Sequence, residues 1–145
     1  MMGARRTAAM LPLATLAGVA LVGPALADPA RDAISAELTA QAEAADASFA
    51  GFSAERGEAL FRAEQTGGDP ETKACTVCHA ADPTQSGENF KTGKAIEPMA
   101  VSVNPKRYTN ADDVEKWFRR NCKQVLGREC TALEKGDFIT YMAGQ

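Results

Sequence analysis

The chain has 145 residues, of which 24% are charged and 45% hydrophobic; 19 acidic and 16 basic side chains leave a formal net charge of −3 at pH 7. This length admits one domain with a modest core, and no nucleic-acid partner is expected at this charge. There is only one histidine, which excludes any centre that needs two from the same chain.

The first 27 residues read as an export signal. Arg5 and Arg6 form a basic start, Ala8 to Val22 is apolar apart from Thr15, and Ala25-Leu26-Ala27 has the A-x-A cleavage pattern. The apolar run is shorter than the roughly 20 residues that a membrane span needs. Cleavage after Ala27 would release a soluble, unanchored chain into the periplasm, starting at Asp28. Residues 28–52 then form an N-terminal helical extension and 53–145 the main domain. Charge divides unevenly: 10 acidic against 3 basic side chains over 28–72, but 9 against 11 over 73–145. The basic excess could steer an acidic redox partner; ordinary solvated surface is the plainer reading.

From Asp28 to Ala50, Ile34, Leu38, Ala42, Ala45 and Phe49 recur at helical spacing. The spacing predicts a covering helix with one apolar stripe. Ser53 is the N-cap of a second helix, expected to run to about Gln65. Gly57 and Phe61 share one face of it, a Gly-x-x-x-aromatic spacing that resembles the class I cytochrome c pattern, which implies close approach of the terminal helix at the small residue. Gly67-Gly68-Asp69-Pro70 ends that helix in a permissive bend.

Cys75-Thr76-Val77-Cys78-His79 follows. C-x-x-C-H is the attachment signature of a c-type haem. Two thiols at this spacing can each add to a haem vinyl group, and the next residue falls where an imidazole can bind the iron. Zinc would want a fourth ligand, and a thioredoxin-like pair would want βαβ surroundings; the chain offers neither. One covalent haem c held by Cys75, Cys78 and His79 is therefore the expected cofactor.

Ala80 to Thr109 is rich in Pro, Gly, Asn and Ser and reads as a wrapping loop with at most short helical turns. Ala111 to Gly127 carries the strongest helical signal. Thr109 or Asn110 caps it, Asp112 and Asp113 sit at its positive end, Val114, Trp117, Phe118, Val125 and Leu126 form its stripe, and Gly127 stops it. A last helix opens with a Thr131-x-x-Glu134 capping box. No strand-like alternation is seen, so the expected fold is all-α, a small class I-like cytochrome c fold of helices wrapped around one haem.

Because His79 is the only histidine, the second axial ligand must be something else. Met99 in the loop would give an electron carrier, though it lies only 20 residues after His79. Met142 reads as core filling. Asn121 falls on the apolar stripe of its helix, where an amide needs a partner; iron, backbone or a propionate would each serve. Cys122 and Cys130 are left over, and two such cysteines in an exported protein most often pair.

Several stretches resemble the sphaeroides haem protein group of monohaem cytochromes c. They are Ala54-Glu55-Arg56-Gly57, Gln65-Thr66-Gly67-Gly68, Cys75 to His79, Thr92-Gly93-Lys94, Val114-Glu115-Lys116-Trp117 and, most specifically, Arg120-Asn121-Cys122 with Gly127-Arg128-Glu129-Cys130. The resemblance covers roughly Glu55 to Gln145. It implies Asn121 as the distal ligand, a Cys122–Cys130 disulfide, and binding of oxygen or nitric oxide in place of a catalytic activity. It also implies partnership with a dihaem cytochrome c and a membrane cytochrome b. One departure is Met99, where a leucine stands in the family, so a competing sulfur ligand exists. A neutral amide oxygen suits ferric iron better than ferrous. The expectation is that reduction releases Asn121 and opens a site for O₂, NO or CO; the alternative is a plain His79/Met99 carrier.

Overall fold

The computed structural model describes residues 28–145. The expected signal segment and its cleavage site lie outside these residues. Four helices make the body: α1 (Pro29–Ala45), α2 (Ala54–Arg62), α3 (Ala111–Leu126) and α4 (Ala132–Ala143). Among the described residues no helix is long and apolar enough to cross a membrane.

Each helix starts where its cap lies. Asp28 accepts from the amides of Ala30 and Arg31, Ser53 from Arg56, Asn110 from Asp113 and Thr131 from Glu134. These bonds satisfy amides that a helix start leaves without partners. Two helices end earlier than their apolar spacing predicts. α1 stops at Ala45 because Asp46 turns its carboxylate onto the amide and hydroxyl of Ser48, a local competitor for the backbone. α2 stops at Arg62, short of Gln65, whose amide donates to Lys73 O instead. α3 ends on Gly127 at φ 73°, a left-handed position that glycine takes without strain.

The loop is not wholly irregular. β1 (Gly87–Glu88) and β2 (Ala95–Ile96) pair antiparallel, Gly87 opposite Ile96. Strands this short leave no room for an alternating pattern, which is why none was legible. The fold remains helical.

α1 and α2 both pack on α4. At Gly57 the two backbones meet: a Cβ there would collide with the carbonyl of Asp137 and approach Tyr141 Cβ to 2.9 Å. One turn on, Phe61 stacks edge-on against Phe138 at 6.0 Å, and Phe118 of α3 does so at 5.4 Å. Phe61, Met99, Phe138, Tyr141 and Met142 form the buried core. Of the predicted α1 stripe, Leu38 and Ala42 are buried, Ile34 is half-buried and Ala45 is exposed.

The same crossing is bolted by a buried carboxylate. Asp137 accepts from Ser53 N at 2.6 Å, Arg56 Nε at 2.7 Å and Arg56 Nη2 at 2.8 Å. Three donors, two of them from one guanidinium, make it possible to bury that charge.

Candidate cofactor cleft

Between α3, the loop and the segment before α3 lies a cleft of about 500 Å³, within the range of cofactor sites. A 3-10 turn, Cys75–Val77, brings its chemistry together: the amides of Cys78 and His79 both donate to Cys75 O, at 3.3 and 3.0 Å. The hairpin supports this turn from outside. Glu88 N donates to Cys78 O at 2.8 Å, and Gly87 lies so close to Cys78 O and His79 Cα that no side chain fits there.

Cys75, Cys78 and His79 all line the cleft, both thiols are free, and all three are half-buried. Burial pushes the Cys75 thiol up to about 11. Burial, with Arg107 as a second cause, pulls His79 down to about 4, so its imidazole is neutral at pH 7, the form that binds a metal. His79 Nδ1 is buried without a hydrogen-bond partner among the described residues. Two reachable thiols, a neutral imidazole and a largely apolar cavity fit a covalently held haem. No group of three or more His, Cys, Asp or Glu side chains is placed to hold a metal among the described residues, so zinc lacks its fourth ligand.

Asn121 lines the same cleft, but it is exposed, not buried. The reason is that α3 lays its apolar stripe along the cleft, with Phe118 reaching through to Phe138 of the core. Trp117, one turn earlier, is 45% exposed on that wall. Asn121 is therefore not the buried amide that its place on an apolar stripe predicts; it faces the cleft.

The next residue is anchored. Cys122 and Cys130 are joined, their Cα atoms 5.6 Å apart, and both are buried at the cleft wall. The Gly67-Gly68 bend reinforces the anchor: its backbone presses on Gln124 to Gly127, and Asp69 N donates to Gln124 O at 2.8 Å. A side chain at either glycine would collide with those carbonyls, so the bend is a packing surface as well as a turn.

Met99 also reaches the cleft, but it is packed in the core with Phe61 and Phe138. Its amide donates to the carbonyl of Pro83, four residues past His79. Met142 is fully buried, a core residue.

Sequence reasoning missed Arg31, Arg107 and Tyr108. Arg107 and Tyr108 line the cleft, and Arg31 reaches over from α1 to the carbonyls of Pro105 and Arg107. Tyr108 has φ 61°, a strained value for a bulky residue. Burial pushes its phenol well above the usual range, and the hydroxyl donates to Met99 O at 3.2 Å. An arginine on the buried stripe of α1 was the only available signal.

Residues 47–142 match the family model described as Domain of unknown function (DUF1924). The chain is 50% identical over 125 residues to the cytochrome c-type protein SHP of Cereibacter sphaeroides, covering 86% of this chain and 92% of that one. It is 45% identical over 69 residues to cytochrome c'' of Methylophilus methylotrophus, 48% of each chain. Its fold is similar to oxidised SHP, described as an oxygen-binding cytochrome c, with a TM-score of 0.72, 45% identity and coverage of 79% of this chain and 96% of that one. Oxidised cytochrome c'' superposes with a TM-score of 0.68 at 34% identity, covering 78% and 92%.

Proposed function

The chain belongs to the SHP family of c-type cytochromes, with haem c as its cofactor, and from this we propose that it is an exported monohaem cytochrome that binds a diatomic ligand. In this reading Cys75 and Cys78 carry the haem as thioethers and His79 is the proximal ligand. The haem supplies an iron that changes oxidation state and accepts a small ligand on one face.

Asn121 is the distal ligand of the oxidised protein. The observation that carries this reading is its position: a cleft-facing amide on α3, next to a residue bonded to Cys130. The amide oxygen is a hard, weak donor that suits ferric iron better than ferrous. With haem bound, Asn121 would be the residue that holds ferric iron and gives it up on reduction, and the disulfide and the Gly67-Gly68 contact would keep its helix in place. O₂, NO or CO then has a place to bind. Electrons are exchanged with other cytochromes, a dihaem cytochrome c and a membrane cytochrome b being those that the family resemblance implies. Lys94, Lys106 and Arg120 at the cleft give such a partner a cationic rim. The site of action is the periplasm, after cleavage behind Ala27.

The competing reading is a His79/Met99 electron carrier that binds no gas. The packing of Met99 in the core with Phe61 and Phe138 speaks against it. Asn121→Ala tests the assignment: the ferric protein should become five-coordinate or water-bound. An unchanged ferric spectrum would remove Asn121 as the ligand.

A further inference from the structure

Two side-chain amides share the cleft wall that α3 provides. Asn121 and Gln124 both line the cleft, and their i, i+3 spacing puts the two Cβ atoms about 5–6 Å apart on one face of the helix. Gln124 is half-buried in the last turn, and its backbone is fixed. Its carbonyl accepts from Asp69 N at 2.8 Å, and Gly68 packs so closely that a Cβ there would collide with the carbonyls of Gln124 and Val125. Between the two amides, Cys122 is bonded to Cys130. A long side chain on a helix runs back toward the N-terminus, onto the residues three and four before it. For Gln124 those are Asn121 and Arg120. Other polar side chains of the cleft are already engaged: Tyr108 donates to Met99 O, Arg107 to Pro98 O, Asn104 to Glu97, and Asn110 caps α3. Arg120 lies over the Trp117 ring, 5.7 Å from its centre. The side-chain amide of Gln124 makes no hydrogen bond among the described residues.

We propose that the side-chain amide of Gln124 is a hydrogen-bond donor to the bound gas and makes the site favour O₂ over CO. This rests on the reading that Asn121 leaves ferrous iron open to a small ligand. Polarity, donors and access on the open side decide which of these ligands a haem favours. O₂ held by ferrous iron draws negative charge onto its outer atom, whereas CO draws little. A donor at that atom therefore stabilises O₂ by a charge-assisted bond and leaves CO nearly unaffected. Glutamine suits the role because its amide does not ionise, so it donates in the same way at every pH the protein meets. Asn121 is one methylene shorter and is the group that the gas displaces. Gln124, one turn on and fixed through its backbone, is the amide that stays beside the gas.

The test compares O₂ and CO binding to the ferrous holoprotein, by flash photolysis in mixtures of the two gases. The infrared C–O stretch of the CO form is the second readout. Gln124→Leu should weaken O₂ binding roughly tenfold or more, through faster dissociation, and leave CO within about threefold of wild type. Its C–O stretch should move to higher frequency, because the positive end of a dipole has left the ligand. Gln124→Glu at neutral pH puts a carboxylate where the donor was and should weaken O₂ at least as far. An O₂ affinity that Gln124→Leu leaves unchanged overturns the proposal. So does an equal loss of both gases, which would mark a general change of the cleft. A ferric spectrum that turns five-coordinate in Gln124→Leu also overturns it, by making Gln124 a support of Asn121. A wild-type ferrous protein that takes up neither gas would instead sink the reading underneath, and wild type and variants alike would then show no C–O band.

Discussion

The peptide carbonyl of Asp137 stands where a Cβ on Gly57 would have to go, so α2 and α4 touch backbone to backbone at that point. Gly57→Ala must push the helices apart and should cost about 1–3 kcal/mol, the usual range for overpacking. Urea unfolding of the holoprotein checks this, and unchanged stability would mean that the helices can slide.

The side chain of Asp137 gives a second, ordered pair of outcomes. Its side chain is 4% accessible and that of Arg56 51%. Arg56→Gln leaves a buried carboxylate without its cation, whereas Asp137→Asn keeps an oxygen for Ser53 N and frees a guanidinium that water can reach. Arg56→Gln should therefore be the more destabilising of the two. The same unfolding series reads the order.

The anchors near the disulfide depend on pH. Arg128 holds the Glu134 carboxyl below its usual value, first by a hydrogen bond and then by charge, with the Thr131 cap helping. A carboxylate depressed on folding stabilises at pH above its unfolded value, near 4.5, and that contribution is lost as pH falls through the lower folded value. Arg128→Gln should flatten this acid limb of the stability–pH curve and leave it unchanged near neutrality in shape. A wild-type acid limb in the variant would show that the pair is not what holds it.

Much of the site was legible in the sequence, because its chemistry is local. Cys75, Cys78 and His79 sit within one turn, so their spacing alone brings them to one wall of the cleft. The caps at Ser53, Asn110 and Thr131 were legible for the same reason. Long-range polar contacts were not. Arg31 meets Arg107 across 76 residues and Asp137 meets Arg56 across 81, and no periodicity encodes such meetings. Asn121 does lie on the stripe that its spacing from Val114 and Trp117 marks, but the amide is exposed to the cleft and not desolvated. An apolar stripe marks a surface to be covered, and a cofactor covers it as well as a protein core does.

Removing the disulfide should act on stability and ligation together. Cys122→Ser with Cys130→Ser should cost roughly 2–3 kcal/mol for so small a ring in the chain-entropy model. Because Cys122 adjoins Asn121, the ferric protein should also gain a high-spin fraction. Lost stability with an unaltered ferric spectrum would mean that the Gly67-Gly68 contact alone positions the ligand.

The most direct test of the central claim is the optical spectrum of the purified holoprotein, ferric and then ferrous under carbon monoxide. A ferric spectrum without a far-red sulfur-to-iron band, followed by high-spin features on reduction and a shift on adding carbon monoxide, is the predicted result. A far-red band in the ferric form, with a ferrous spectrum that carbon monoxide leaves unchanged, would contradict it and make the protein a His79/Met99 electron carrier.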